Sequence, residues 1–370
     1  MGKGDVQVVL SAVGMPSAVG LTAAQTFTSV RARVSRRCEV GGIYYCYPDD
    51  ADFDDPSPLV ASPLRYLDAV RSRKNTPVEW LSHLASEAYS DLAKSMRLAP
   101  DDSAGTGLFI ALPPARAGWN ESAQDEFLYH FYNTLEIDPF SYVRFDFTGH
   151  AGALALCEEA SSALREGKIR FAIMGGVDSY LFPEWLEPLD RECRIKSPRS
   201  VVGFTPGEAA AFFLLEPARQ PEQRGLEPLC VLDRFCRGIS KGVDLANRTG
   251  IALSDTLRPL LTLCPEPPLV LCDLNGEPGR MKEWGYVLTR LGRSLGNPVA
   301  LEHPAALLGD CGAATGAGLV VLATFYLQRG FKERCRALLW CAGDGGDRAA
   351  LLLSAATTVS EKEDKPCRQR

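Results

Sequence analysis

The feature that most constrains the fold is an order of strand, tight turn, helix and strand that occurs in both halves of the chain. In the first half, 142–147 reads as a strand and Thr148, Gly149 and His150 as a turn. Residues 151–166 carry good helix formers with apolar positions at helical spacing, and 171–174 is a buried-type strand ending in Gly175-Gly176. Two strands joined through a helix lie parallel in one sheet, with helices covering its faces. Upstream, the pattern gives a strand over 6–13, a turn at Gly14, Pro16 and Gly20, and a helix over 22–34. It continues with a loop or short hairpin over 39–58, helical segments over 63–74 and 77–98, a strand over 106–112 and a helix over 121–135.

The second half follows the same logic. Strands are expected over 229–237 and 269–274, the latter ending at Asn275-Gly276, with mostly helix over 242–263 and a helix over 281–295. A small-residue-rich helical region over 304–328 precedes two closing strands, 336–341 and 349–354, around a glycine-rich turn. The reading is an α/β chain with an internal duplication. Its halves, 1–217 and 218–358, form one merged body, and a charged tail over 359–370 is too polar to pack and is expected to be disordered.

Composition excludes several classes. Of 370 residues, 46% are hydrophobic and 23% charged, enough for a large core. The net charge is -6 and no basic tract is long, which argues against nucleic-acid binding. Arg31, Arg33, Arg36 and Arg37 form the densest basic cluster, either a solvated helix end or a docking patch for an acidic partner. The twelve cysteines include no Cys-x-x-Cys pair. Cys230, Cys236, Cys272 and Cys341 fall in strand-like apolar runs and read as buried free thiols. No run of about 18 apolar residues marks a membrane span, and the first residues lack the zones of a signal peptide, so a cytoplasmic location is expected.

Five segments carry a resemblance. They are Val13-Gly14-Met15-Pro16-Ser17-Ala18-Val19-Gly20; Ala163-Leu164-Arg165-Glu166-Gly167 running to Gly175-Gly176-Val177; and Gly203-Phe204-Thr205-Pro206-Gly207-Glu208-Ala209-Ala210 after Cys193-Arg194. The last two are Leu308-Gly309-Asp310-Cys311-Gly312-Ala313-Ala314-Thr315-Gly316-Ala317 and Gly343-Asp344-Gly345-Gly346. In this order they resemble the motifs of β-ketoacyl synthases of the thiolase-fold superfamily. The resemblance implies a thiolase-like fold: a duplicated αβαβα five-layer sandwich of mixed sheets around buried helices. It also implies a dimer through a sheet edge, either a homodimer or a heterodimer with a ketosynthase-like paralogue, and dealings with an acyl carrier protein or acyl-CoA.

The resemblance places the family's Cys-His-His set on residues that differ from it. Counting back from Gly175-Gly176 puts the nucleophilic Cys on His150, at a helix start. The partial positive charge of a helix N-terminus activates a thiol but disfavours imidazolium, so a neutral His150 is expected. Cys157, seven residues on, is a poor displaced nucleophile. The first catalytic His maps on Asn275 with Glu277 in place of the following Thr, and the second maps on Asp310. The preceding Lys maps on Ala305, and the gating Phe on Asp344. Aspartate cannot supply the donor that decarboxylation requires.

The replacements are all polar and are expected to converge on one buried cleft. Two readings stay open. In one, His150 is a general base oriented by Asp310 or Asp344, Asn275 is an oxyanion donor, and Thr148 or water attacks, giving an acyltransferase or hydrolase. In the other, the cluster is a satisfied polar filling and the chain is a non-condensing partner or scaffold in fatty-acid or polyketide-type metabolism. One histidine with one or two carboxylates is a weak metal set, so no metal or cofactor is expected. His83, His130 and His303 read as helix-surface or cap-neighbour residues, and Glu208 as a structural acid.

Overall fold

The computed structural model describes residues 6–45, 57–74, 76–98, 100–198 and 200–356. The tail expected over 359–370 and the middle of the 39–58 segment lie outside the described residues. Twelve strands run in chain order: β1 Val8–Gly14, β2 Cys38–Tyr44, β3 Pro58–Ala61, β4 Thr106–Ala111, β5 Tyr142–Asp146 and β6 Phe171–Ser179. They continue as β7 Glu208–Pro217, β8 Cys230–Ile239, β9 Leu269–Cys272, β10 Leu301–Glu302, β11 Arg336–Ala342 and β12 Asp347–Ala355. β2 and β3 form a small antiparallel pair; the other ten make one sheet in the order β10-β9-β11-β12-β8-β1-β7-β6-β4-β5.

That sheet is two five-stranded sets of one design. β1, β7 and β6 are antiparallel neighbours, followed by parallel β4 and β5; β8, β12 and β11 are antiparallel neighbours, followed by parallel β9 and β10. The sets join where Val9 and Leu10 of β1 meet Val231 and Cys230 of β8. Helices Gly152–Arg165 and Ala314–Gln328 pack against strands of both sets and against each other, within the largest apolar core. Helices Pro77–Met96 and Gln124–Leu135 cover the outer face of the first set, and Ile251–Leu261 and Pro278–Leu295 that of the second. Helix, sheet, helix pair, sheet and helix make five layers of a thiolase-like fold.

Local chemistry explains the elements. Thr22 and Thr76 sit in extended backbone and accept hydrogen bonds from Gln25 N and Glu79 N, capping their helices. Pro77 opens the second of these helices, where its missing N–H is no loss. The Ala314–Gln328 helix is apolar on every side, as a helix between two sheets must be. β4 is buried along its whole length, as a central parallel strand is.

The Gly175-Gly176 pair does not end its strand: β6 runs on to Ser179. Its glycines mark close approach instead. A Cβ at Gly176 would lie 2.5 Å from the Ala313 carbonyl oxygen, and one at Gly175 would lie 2.3 Å from the Phe212 ring. The basic cluster is tied into the fold: Arg33 pairs with Glu302 at 3.1 Å, Arg31 stacks 4.0 Å over the Phe331 ring, and Arg37 donates to the Ala306 carbonyl. The described cysteines are free thiols, and no helix among the described residues is long and apolar enough to cross a membrane.

Candidate functional site

The parallel strands aim their carboxyl ends at one place. His150 follows β5, in the turn Gly149–Ala151 that opens the Gly152–Arg165 helix. Asp273, Asn275 and Glu277 follow β9, Arg280 lies in the first turn of the Pro278–Leu295 helix, and Asp344 sits in the turn between β11 and β12. Asp310 comes from the link between helices Ala305–Leu308 and Ala314–Gln328. That link is pinned to its neighbour, because Asp310 N donates to Thr205 O at 2.8 Å and Gly207 N donates to Asp310 O at 2.9 Å. The central helices meet where a Cβ on Gly316 would lie 2.9 Å from the His150 carbonyl oxygen, which fixes the His150 turn against the Asp310 link.

The structure brings His150, Asn275, Asp310, Glu277 and Asp344 into one network. His150 Nε2 lies 2.7 Å from Asp310 Oδ1, and the two residues are only 4% and 2% exposed. Gly312 N donates to the same oxygen at 2.8 Å, and Asn275 Nδ2 donates to Oδ2 at 2.6 Å. Asn275 Nδ2 also donates to Glu277 Oε2 at 2.9 Å, while its Oδ1 accepts from Glu277 N at 3.0 Å. Asp344 has no direct bond to His150; it reaches the ring through Arg280. Thr148 is not part of the network, because its hydroxyl and N–H both donate to Asp146 Oδ1.

Arg280 is the hub that the sequence did not mark. Fully buried, it donates to Asp273 at 2.7 Å, to Glu277 at 3.1 Å, to Asp344 at 3.0 Å and to the Ala342 carbonyl. Its Nη2 also lies 3.4 Å from His150 Nδ1. Arg194 closes the outer side, donating to Glu277 and Asp344 at 2.7 Å each. Nothing in local periodicity marks Arg280 as buried; the one sequence signal is its spacing three residues after Glu277 at a helix start.

Electrostatics follow from these contacts. Burial, the largest influence, and Arg280 lower the His150 pKa, but the charge and hydrogen bond of Asp310 together with Asp273 outweigh them, so the ring stands above its ordinary value. The downward shift expected from helix position alone is thus corrected in direction: carboxylates, one at 2.7 Å, outweigh a partial charge. Burial raises Asp310, yet His150, Arg280 and Asn275 together hold it well below the usual carboxylate range. In either charge state Nε2 keeps its proton toward Asp310. Arginine has no acceptor, so the Arg280 contact is a hydrogen bond only when Nδ1 offers its lone pair. Cys157 donates weakly to Ala153 O, and burial pushes its thiol up to about 12, which removes it as a nucleophile.

Asn275 also lines a surface groove of about 290 Å³, with Lys196, Val201, Thr205 and Met281 among its walls, and Asp310 lies behind the amide. Among the described residues no group of three or more His, Cys, Asp or Glu is placed to hold a metal. Glu208 is tied down structurally, accepting from Trp80 Nε1 at 2.9 Å, Ser179 Oγ at 2.7 Å and Leu64 N at 2.9 Å. His83 and His130 lie on helices beside Glu87 and Glu126, and His303 lies at the groove.

No protein-family model and no curated relative matches the sequence. Solved structures do match its fold. The AntDE:AntF complex of a type II PKS acyl-carrier protein with its ketosynthase superposes with a TM-score of 0.76 at 13% identity, over 95% of this chain and 100% of that one. The oxazolomycin ketosynthase domain from Streptomyces albus gives 0.72 at 14%, over 98% and 76%. The ishigamide ketosynthase/chain length factor gives 0.69 at 16%, over 95% and 100%. The chain therefore has the thiolase-like fold of the ketosynthases.

Proposed function

We propose that this chain is a ketosynthase-like protein of acyl or polyketide-type metabolism that serves as a non-condensing partner. One observation carries the reading: the groups at 150, 275 and 310 are occupied by one another. Both amide hydrogens of Asn275 point at carboxylates, leaving none for a substrate oxyanion. Asp310 accepts on both oxygens, and His150 presents one nitrogen to Asp310 and the other to Arg280. A general base needs a lone pair facing the proton it removes, and this ring has none so placed. The Thr148 hydroxyl, bound to Asp146, is equally unavailable.

The partner is a second copy or a ketosynthase-like paralogue, working on chains held by an acyl carrier protein or CoA. Two neighbours support this class, one a ketosynthase with its acyl-carrier protein and one a ketosynthase/chain length factor. The sheet offers a place for it: among the described residues β5 pairs only with β4, so its other edge is unpaired.

The test compares wild type and His150→Ala for hydrolysis and transfer of acyl thioesters, alone and with an active ketosynthase. The expected result is no turnover by either alone and a lower melting temperature for His150→Ala. Turnover by wild type that His150→Ala abolishes, with the fold intact, would overturn the proposal in favour of a histidine-based acyltransferase or hydrolase.

A further inference from the structure

At the other end of the second set of strands lies a cleft that the polar cluster does not use. It has two lobes, of about 210 and 450 Å³, that share Pro267 and Arg334 in their walls. Pro265, Glu266 and Arg336 line the first lobe, and Pro298 with its loop lines the second. These residues belong to the segments that lead into β9, β10 and β11. The cleft therefore faces the amino ends of the parallel strands, whereas the cluster caps their carboxyl ends. The seven residues of β11 separate the two by roughly 20 Å.

The cleft holds two arginines whose Nε atoms depart from the pattern of the rest of the molecule. Elsewhere a buried guanidinium is matched to a carboxylate: Arg348 with Glu283 at 2.7 and 3.0 Å, Arg116 with Asp178 at 2.7 and 3.0 Å, and Arg224 with Glu216 at 2.6 Å on both oxygens. Arg334 is half-buried, and its shielded Nε has no hydrogen-bond partner among the described residues. Arg336 Nε is also shielded and makes no hydrogen bond; its side chain is partly exposed, and Asp233 Oδ2 pairs with it only loosely, at 3.8 Å. A guanidinium stays charged, and an N–H of it shielded from water without an acceptor is unfavourable. Glu266 is exposed, where water screens it. The larger lobe alone falls within the roughly 300–1,000 Å³ of small-molecule sites, and the proline rings give it a rigid apolar wall.

We propose that this cleft binds a small organic oxyanion, with its phosphate or carboxylate head on Arg334 and Arg336 and its apolar body along Pro265, Pro267 and Pro298. The inference is independent of the polar cluster and of the function proposed for it.

Isothermal titration of the full chain tests it, with phenyl phosphate as probe, benzoate as the carboxylate arm and inorganic phosphate as the head-group-only arm. Phenyl phosphate or benzoate is expected to bind more tightly than inorganic phosphate, and the tighter of the two identifies the head group. Arg334→Gln should weaken that binding at least about tenfold, the loss of a charge-assisted pair. Its melting temperature without ligand should stay at the wild-type value, since its Nε has no hydrogen bond to lose among the described residues. Arg336→Gln serves as the second variant. Absence of binding by all three probes, or affinity unchanged in both variants, overturns the site.

Discussion

Asp310→Ala is the sharpest perturbation of the cluster. The carboxylate accepts from His150 Nε2 at 2.7 Å, Asn275 Nδ2 at 2.6 Å and Gly312 N at 2.8 Å. Truncation strands three donors at once and leaves His150 facing Arg280 without the carboxylate that bonds it, with only Asp273 still favouring its charged form. Removing one member of a buried charged pair costs about 3–5 kcal/mol, and a stranded neutral donor about 1–3 kcal/mol. Water entering from the Asn275 groove offsets part of this, so a net loss of about 3–5 kcal/mol is expected. The assay is urea unfolding followed by the fluorescence of buried Trp80, Trp119 and Trp340, with the midpoint falling and the slope unchanged. Asp310→Asn should fall between, because it keeps the shape and loses the charge. The His150→Ala, Asp310→Ala pair should be non-additive by more than about 0.5 kcal/mol. A loss below about 1 kcal/mol for Asp310→Ala, or strict additivity, would refute the reasoning that these groups satisfy one another.

Three further outcomes follow from the same contacts. The His150 pKa is raised above 6.5 and the Asp310 pKa is lowered below 3.8, so their mutual stabilisation is full between those values. It is lost as pH rises through the folded histidine pKa and as pH falls through the folded aspartate pKa; His150→Ala should flatten the alkaline limb of a stability–pH curve. Gly176→Ala would place a Cβ 2.5 Å from Ala313 O, and the forced shift should lower stability by about 1–3 kcal/mol in the same urea assay. Cys157, with its thiol near 12, should resist an alkylating reagent in the native protein at pH 8 and react on unfolding, as mass spectrometry of the labelled peptide would show.

Much of this molecule is legible in its sequence where period and punctuation agree. The turn at 148–150 and the helix after it stand out because helix formers and apolar spacing coincide, and the structure places the helix at Gly152–Arg165. The Gly175-Gly176 pair misleads as a strand end, since glycine there answers to Ala313 and Phe212, which are distant in sequence. β7 and the Pro183–Arg191 helix are not among the elements that the periodic pattern marks; β7 is buried on both faces and shows no alternation. The two-residue β10 is too short for any pattern to reveal.

The site divides in the same way. His150, Asn275 and Asp310 can be placed because short, gap-free motifs anchor them, and the fold brings them within hydrogen-bond distance. Arg280 and Arg194 carry no such anchor. A buried arginine looks like a surface arginine until its partners are known, and here they are Asp273 and Glu277 from the stretch just before it and Asp344 from the turn between β11 and β12. The direction of the His150 pKa shift escapes a local reading for the same reason. Its local setting, a helix start, is written in sequence, whereas the carboxylate that overrides it lies 160 residues away.

The central claim is that the cluster is closed on itself and forms no covalent acyl intermediate. Intact-protein mass spectrometry after incubation with acyl and malonyl thioesters tests it most directly. The account predicts an unmodified mass at all times, with wild type and His150→Ala alike. An acyl adduct mapped to a residue beside His150, absent from His150→Ala, would contradict it.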